Sequence, residues 1–230
     1  MEHNVWVAFP SADVERGSNC ARRWQNRGYR ALIGFDSDAC QGNISTPSLV
    51  TVQLKLPFEG YYRVINSLVA HAFKNGAEVV TCAADDMDPD PEHDAQEIAE
   101  AYLNRFPDGL GILQACGDPQ GVDEFGHQAA SRICGSPTFG RGWFEKAYGG
   151  KGPFWDDYRS FYCDEELKEV AEKLGVLWMA SEYTFLHKHW SWGWRPQAEY
   201  QKRNSDWHWS ADKELFDSRK KMEFPGHAHL

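Results

Sequence analysis

Apolar residues recur along the chain with two periods, one typical of strands and one typical of helices. Short apolar runs predict strands at residues 4–10, 29–36, 49–58, 77–84, 110–117 and 176–187. Helical stripes follow at residues 18–26, 61–76, 94–106, 163–175 and 203–221, and Ser18 or Asn19 is expected to cap the first of them. Because strands and helices alternate, we expect an α/β fold with a mostly parallel central sheet flanked by helices.

Two stretches refine this picture. Residues 77–84 form an unbroken apolar run, which is typical of a central strand covered on both faces. Residues 133–155 are rich in glycine and aromatic side chains, which predicts loops and short helices that shape a pocket. No linker interrupts the pattern, so we predict a single domain over residues 1–230.

Charge is distributed unevenly. The net charge of -10 argues against a generally basic surface that coats nucleic acid. Residues 85–125 hold twelve acids and one base, whereas residues 16–30 hold five arginines and no acid. A local basic patch for an anionic ligand therefore stays open, and the ten tryptophans suggest a dense core or a platform for flat ligands.

The cysteines and the opening residues bear on localisation. Six cysteines lie far apart without a CxxC pair, which favours a reducing compartment and disfavours disulfides or structural zinc. The first residues lack the apolar core of a signal peptide, and no run of 18 apolar residues occurs. We expect a cytoplasmic protein without a membrane segment.

Candidate chemistry begins where predicted strands end. Ligands of open parallel sheets bind beyond the carboxyl ends of the strands. Three such ends are polar, and if the strands are neighbours they line one crevice; the residues are Pro10 with Ser11, Asp36, and Asp85 with Asp86.

Asp86 and Asp88 form an Asp-x-Asp pair that leaves the central strand. Mg²⁺ and Mn²⁺ prefer oxygen ligands, commonly one or two carboxylates together with substrate phosphates. The alternative is an acidic turn, in which Asp and Pro are simply good turn formers. Asp90 lies beyond Pro89 and is expected only to solvate the turn.

Several stretches, in order, resemble the GT-A glycosyltransferases of family 2. They are GYYRVINSLVAHAFKNGAEVVTCAADDMDPDPEH, then CDEELKEVAEKLG, then HKHW, and the resemblance extends from about Val5 to His189. It implies a GT-A fold with Rossmann-like binding of a nucleotide sugar such as a UDP-sugar. It also implies a donor half at residues 1–117 and an acceptor half at residues 118–230.

The resemblance also implies roles by position. Donor contacts would come from Pro10, Ser11, Arg16, Asp36, Asn66 and Asp85. Asp86 and Asp88 would bind Mn²⁺ or Mg²⁺ at the diphosphate, and His187 or His189 would add a third ligand. The alternative for the two histidines is an aromatic-rich loop.

Asp164 matches the family's general base. The family usually has Glu where this chain has Cys163, so either Asp164 or Glu165 is the base. The alternative for Asp164 is a helix N-cap. On the acceptor side the resemblance implies Arg141, Gly142 and Trp143, and the alternative there is a glycine-rich turn with Trp143 in the core.

Together these features predict a metal-dependent, inverting glycosyltransferase that moves a hexose or pentose from a nucleotide-diphosphate sugar to an acceptor hydroxyl. Such a reaction needs one carboxylate base on the acceptor side and a Lewis acid on the leaving diphosphate. Alternatives are a nucleotidyltransferase and a non-catalytic carbohydrate-binding protein. The acceptor is open among a glycan, a protein, a small molecule and a hydroxymethylated base in DNA.

Overall fold

The computed structural model describes residues 2–37, 40, 52–56, 59–118, 132–190, 196 and 199–226, with residues 199–208 as backbone only. The strands are β1 (Val5–Ser11), β2 (Arg30–Asp36), β3 (Val52–Leu56), β4 (Val79–Cys82), β5 (Met87–Asp88), β6 (Ile112–Ala115), β7 (Pro137–Gly140), β8 (Leu177–Ala180) and β9 (Leu186–His187). The helices are α1 (Val14–Gln25), α2 (Tyr61–Lys74), α3 (Ala95–Arg105), α4 (Arg141–Lys146), α5 (Cys163–Lys173) and α6 (Glu199–Lys221).

Seven of these strands form one sheet in the order β3-β2-β1-β4-β7-β6-β8. Neighbouring strands are parallel except on the two sides of β7, which is antiparallel to both β4 and β6. The predicted fold class, a mixed α/β layer with a mostly parallel central sheet, is confirmed. The predicted single domain and its two halves stay predictions.

Helices cover both faces of the sheet and bury a core on each. One core packs α1 and α3 through Trp24, Ile98 and Tyr102. The other packs α2, α4, α5 and α6, and Leu68 and Trp143 belong to it. Every residue of β4 is buried, as the unbroken apolar run predicted.

Local signals explain the helix starts, including one that we predicted wrongly. Asp13 caps α1, since its carboxylate accepts a hydrogen bond from the backbone N–H of Arg16 at 2.9 Å. Ser18 and Asn19 therefore lie inside the helix and are not its cap. α3 begins with a capping box in which Asp94 and Glu97 bond each other's backbone N–H groups.

The pattern also misjudged two strands. The predicted strand at residues 176–187 is two separate pieces, β8 and β9, because a turn closes where the Tyr183 N–H donates to the Ala180 carbonyl. β7 was not predicted at all, since its sequence PTFG has the composition of a loop. At residues 49–58, β3 is a strand as predicted, while residues 49–51 and 57–58 lie outside the described part of the chain.

Among the described residues, no helix is both long enough and apolar enough to cross a membrane.

Candidate active site

The parallel strands bring their carboxyl ends to one edge of the sheet. Pro10 and Ser11 end β1, and Asp36 ends the neighbouring β2. β4 flanks β1 on the other side, and the acidic turn, defined here as residues 85–90, follows from its carboxyl end. The prediction that these polar strand ends share one edge is confirmed.

Asp85 is a buried carboxylate held by β1 and α1. Its Oδ2 accepts hydrogen bonds from Ser11 Oγ at 2.7 Å and from Arg16 Nε at 2.8 Å, and Arg16 Nη2 also lies 2.8 Å away. Burial raises the pKa of Asp85, while Arg16 and Ser11 oppose that rise. Gly17 permits the close approach of α1, because a Cβ there would lie 2.9 Å from Ser11 Cβ. Three predicted donor contacts thus form one hydrogen-bonded group.

The same face of α1 continues along the acidic turn. Cys20 Sγ and Trp24 Nε1 both donate to the Met87 carbonyl, at 3.3 and 3.2 Å. Arg23 Nε lies 2.5 Å from Asp88 Oδ1. Because these positions recur with helical spacing, they lie on one side of the helix. Helix α1 therefore holds both the backbone and the charge of the turn.

A short ribbon closes the other side of the turn. β5 and β9 pair antiparallel, so the chain around His187 lies beside the two candidate metal-binding acids. His187 Nε2 is 3.2 Å from Asp86 Oδ1, and the Lys188 ammonium pairs with Asp88 Oδ2. The ring of His189 lies 5.1 Å from that of His187. The structure thus brings all four predicted ligands close together, and it also pairs Lys188 with one of them, Asp88.

As placed, these residues do not fit a divalent cation. Both oxygens of Asp88 face cations, Arg23 and Lys188, and one oxygen of Asp86 faces His187. Within the described ranges, no three His, Cys, Asp or Glu side chains lie close enough together to hold a metal ion. A hard cation requires several oxygen ligands at about 2 Å, and here they would first have to leave their partners. The expected Mn²⁺ or Mg²⁺ stays a prediction.

Asp90 ends the turn inside the protein and not in solvent. It is 2% exposed and accepts the backbone N–H groups of Glu92, His93 and Thr184, at 2.8, 2.7 and 2.6 Å. Burial would raise the pKa of Asp90, but these hydrogen bonds outweigh it and the pKa is lowered. The prediction that Asp90 only solvates the turn is wrong; it ties the turn to the segment between β8 and β9.

A second group of carboxylates lies at the start of α5. The Tyr62 hydroxyl donates to Asp164 Oδ1 at 3.0 Å. Burial, with the adjacent Asp164 carboxylate, raises the pKa of Glu165 to about 9. Glu165 therefore holds a proton at neutral pH. Tyr162 precedes the helix with a left-handed backbone (φ 65°) and no side chain caps it, so Asp164 is not an N-cap.

Two adjacent tyrosines at the start of α2 connect the two groups of acids. The Tyr61 hydroxyl donates to the Ala83 carbonyl at 2.7 Å, just before the acidic turn, while Tyr62 reaches Asp164. The two rings lie 5.2 Å apart, edge to face. Burial raises the pKa of Tyr61, and carboxylates from both groups add to the rise. Acids about 80 positions apart in the sequence thus act on one phenol.

The third acid of the α5 start is structural. Glu166 is fully buried and forms a two-point ion pair with Arg219 of α6, at 2.8 and 2.7 Å. The Tyr158 hydroxyl donates to the same carboxylate at 2.8 Å, and the Arg219 guanidinium lies over the Trp155 ring. Glu166 therefore joins α5 to α6.

The predicted acceptor residues lie at the wrong edge of the sheet. β7 is antiparallel, and its last residue, Gly140, pairs with Val79 at the start of β4. Arg141 and Gly142 follow there, at the amino ends of the parallel strands and away from the acidic turn. Trp143 is fully buried and its indole N–H donates to a backbone carbonyl. The acceptor-side assignment is contradicted, and the core alternative for Trp143 is correct.

Asn66 is also committed elsewhere. Its Nδ2 donates to the Phe154 carbonyl at 2.9 Å, and its Oδ1 accepts the Phe154 N–H at 3.2 Å. A Cβ on Gly152 would collide with the amide, at 2.4 Å from its Cγ. Both polar atoms of Asn66 thus hold residues 152–154, which contradicts its predicted contact with the nucleotide.

Sequence reasoning missed four residues of the site, namely Arg23, Lys188, Tyr61 and Tyr62. The arginine-rich stretch beside a strongly acidic one was a signal for Arg23, because opposite charges that coexist in one chain can pair. Nothing in the sequence distinguished Lys188 from an exposed lysine.

Comparisons with known proteins leave the family open. No family model and no curated protein matches the chain. A similar solved structure is that of a glycosyltransferase involved in the glycosylation of the major capsid of PBCV-1, with 9% identity and a TM-score of 0.35. The match covers 60% of this chain and 59% of that one, so this chain spans only part of it. A likeness at this level carries no argument about function.

Proposed function

We propose that the chain transfers a sugar from a nucleotide-diphosphate sugar to an acceptor hydroxyl, with inversion at the anomeric carbon. The observation that carries the proposal is the junction of the two acid groups at the carboxyl edge of the sheet. The acidic turn after β4 and Asp164 at the start of α5 meet across the Tyr61–Tyr62 pair. Inverting transfer requires such an arrangement, with the leaving group on one side of the sugar and a base on the other.

Asp164 is the base in this proposal. A general base must be ionised before the reaction, and Glu165 carries the proton of the pair at neutral pH because of its raised pKa. The Tyr62 hydroxyl holds one oxygen of Asp164, which orients the carboxylate. Asp164 would take the proton from the acceptor hydroxyl as that oxygen attacks the anomeric carbon and the diphosphate leaves.

The donor would bind across the ends of β1, β2 and β4. Ser11 and Arg16 converge on Asp85, and Pro10 and Asp36 line the same edge. Nucleotide ligands of open parallel sheets bind at such an edge. The sequence leaves the nucleobase and the sugar of the donor open. The divalent cation stays a prediction, and no step of the transfer as proposed depends on it.

The acceptor would bind along α5, where a groove reaches Glu165, the neighbour of Asp164 in the sequence. A groove of about 670 Å³ runs along the outer face of α5, lined by Arg132, Glu165, Lys168, Glu169, Glu172 and Lys173. Its lining is polar throughout, which suits a polar acceptor such as a glycan or a small hydroxylated molecule. A hydroxymethylated base in DNA remains an alternative, and its binding would weaken steeply with salt.

Product analysis tests the proposal. The chain would be incubated with each common nucleoside-diphosphate sugar and a panel of acceptors, and separately with nucleoside triphosphates and sugar phosphates. Release of nucleoside diphosphate is followed in the first mixture and release of pyrophosphate in the second. We expect a nucleoside diphosphate to be released, and Asp164→Asn to slow its release about 100-fold or more. Release of pyrophosphate would instead indicate a nucleotidyltransferase.

Binding is the second arm of the test. Nucleoside diphosphates would be screened by thermal shift, and at least one is expected to raise the melting temperature. If none does, and no nucleotide sugar is consumed, the proposal fails and a non-catalytic carbohydrate-binding protein becomes the better interpretation. Asp217→Asn serves as a control, because Asp217 pairs only with nearby Lys213 on the surface of α6 in the contacts described.

A further inference from the structure

We propose that Arg23 and Lys188 take, at the acidic turn, the place that the resemblance assigns to a divalent cation. The chain would therefore bind a nucleoside diphosphate without Mn²⁺ or Mg²⁺. The diphosphate in this inference rests on the proposed function, whereas the exclusion of the cation rests on the turn itself.

The carboxylates of the turn already have partners within the protein. Asp85 pairs with Arg16, and Asp88 pairs with both Arg23 and Lys188. Asp86 contacts His187, and Asp90 accepts backbone N–H groups. A divalent cation at Asp88 would be repelled by the two cations that already pair with it.

The two cations come from opposite sides and are fixed by independent elements. Arg23 belongs to α1, whose face also bonds the Met87 carbonyl. Lys188 directly follows β9, and its backbone N–H donates to the Asp86 carbonyl at 2.8 Å. The pairing therefore follows from the fold around the turn and not from one flexible side chain.

Both cations remain accessible to an anion. The Arg23 side chain is 39% exposed and that of Lys188 is 36% exposed. A guanidinium offers five N–H donors and an ammonium three, so each can bond Asp88 and a phosphate oxygen together. Arg23 and Lys188 would thus give a diphosphate the positive charge that a metal ion provides in a metal-dependent site.

The first test is a titration with Mn²⁺ alone. The electron paramagnetic resonance signal of the free ion measures how much Mn²⁺ remains unbound. We expect the wild-type chain to leave the signal unchanged at millimolar Mn²⁺. The double variant Arg23→Met with Lys188→Met is expected to take up Mn²⁺, and adding Asp86→Asn is expected to abolish the uptake. If the double variant does not fold, each single variant is titrated in its place.

Two outcomes of this titration overturn the inference. One is stoichiometric Mn²⁺ uptake by the wild-type chain that is lost in Asp88→Asn. The other is a folded double variant that takes up no Mn²⁺, since the two cations would then not occupy a metal's place. Neither outcome depends on the proposed function.

The second test is calorimetric titration with uridine, guanosine, adenosine, cytidine and thymidine diphosphates, in EDTA and in Mn²⁺. We expect the preferred diphosphate to bind equally in both, and Lys188→Met to weaken binding about tenfold or more. Lys213→Met, which removes a lysine that pairs within α6, is the matched control and should bind normally. Binding that requires Mn²⁺ overturns the inference alone, whereas no binding in either condition overturns the proposed function.

Discussion

The acidic turn and the start of α5 are both rich in acids, but their carboxylates have different kinds of partner. In the turn, Asp85 and Asp88 each contact arginine or lysine, so negative charge is matched by positive charge. At the start of α5, Asp164 accepts a hydrogen bond from the neutral Tyr62 hydroxyl, and in the described part of the chain no arginine or lysine forms an ion pair with it. A carboxylate solvated by neutral groups is the better proton acceptor.

Within α5 the contrast sharpens over three consecutive residues. Asp164 contacts Tyr62 and Glu165 has a raised pKa, while Glu166 is fully buried and pairs with Arg219. Helical geometry separates neighbours by about 100°, so adjacent acids meet entirely different surroundings. Residue type alone therefore does not tell a base from a structural ion pair; the partner does.

The largest effect is expected where a buried pair is broken. Arg219→Met leaves the fully buried Glu166 without its two-point partner, and we expect a loss of about 3–5 kcal/mol in the free energy of unfolding. Urea denaturation measures it. Lys220→Met is the control, since Lys220 forms an exposed pair with Glu169 and should cost at most about 1 kcal/mol. Equal losses of stability in Arg219→Met and Lys220→Met would contradict the difference expected between a buried and an exposed ion pair.

The next largest effect is expected on kcat when the proposed base, Asp164, is replaced. Asp164→Asn keeps a hydrogen-bond acceptor for Tyr62 but cannot take a proton, so kcat should fall about 100-fold or more, or about 2.7 kcal/mol in barrier height. Steady-state release of nucleoside diphosphate measures it, and the melting temperature should change little. Retention of wild-type kcat by the variant would remove Asp164 from the mechanism.

Much of the framework could be predicted from the sequence because it depends on local patterns. The unbroken run of β4, the stripe of α2 and the polar strand ends needed only periodicity and the geometry of parallel sheets. Asp86 and Asp88 followed from their position after a buried strand. The grouping of these acids with His187 was expected only from the resemblance, and the structure places them together.

What the sequence could not predict depends on contacts between distant segments. The direction of β7 is decided by its pairing with β4 and β6, and that direction moves Arg141 and Gly142 to the far edge of the sheet. The partners of Asp88 come from residues 65 positions before it and 100 positions after it. Asn66 has the polarity of a ligand contact, and only the position of Phe154 reveals its structural role.

A smaller effect on the free energy of unfolding is expected in the acidic turn, where Arg16 pairs with Asp85. Arg16→Met removes two donor contacts from the buried Asp85 and, among the contacts of the described residues, leaves Ser11, so we expect a loss of about 1–2 kcal/mol in stability. Arg30→Met is the control from the same arginine-rich stretch; Arg30 is exposed over the Trp6 ring and should cost less than about 1 kcal/mol. If Arg16→Met costs no more than the control, the buried carboxylate does not need its cation.

The smallest change in rate is expected for Glu165→Gln. This variant tests most directly whether Glu165 is protonated at the start of α5. The folded chain keeps the Glu165 proton up to a pKa of about 9, whereas an ordinary glutamate releases it near 4.5. The folded state thus binds one more proton between these values, so stability falls as pH rises through that window. Glutamine is always neutral and can still donate to Asp164, so the variant should lose this slope and melt higher than wild type at pH 8, with kcat changed by less than about tenfold. Melting curves from pH 5 to 9 measure the difference; an unchanged slope would mean that Glu165 is ionised in the folded chain, and the base could then be either acid.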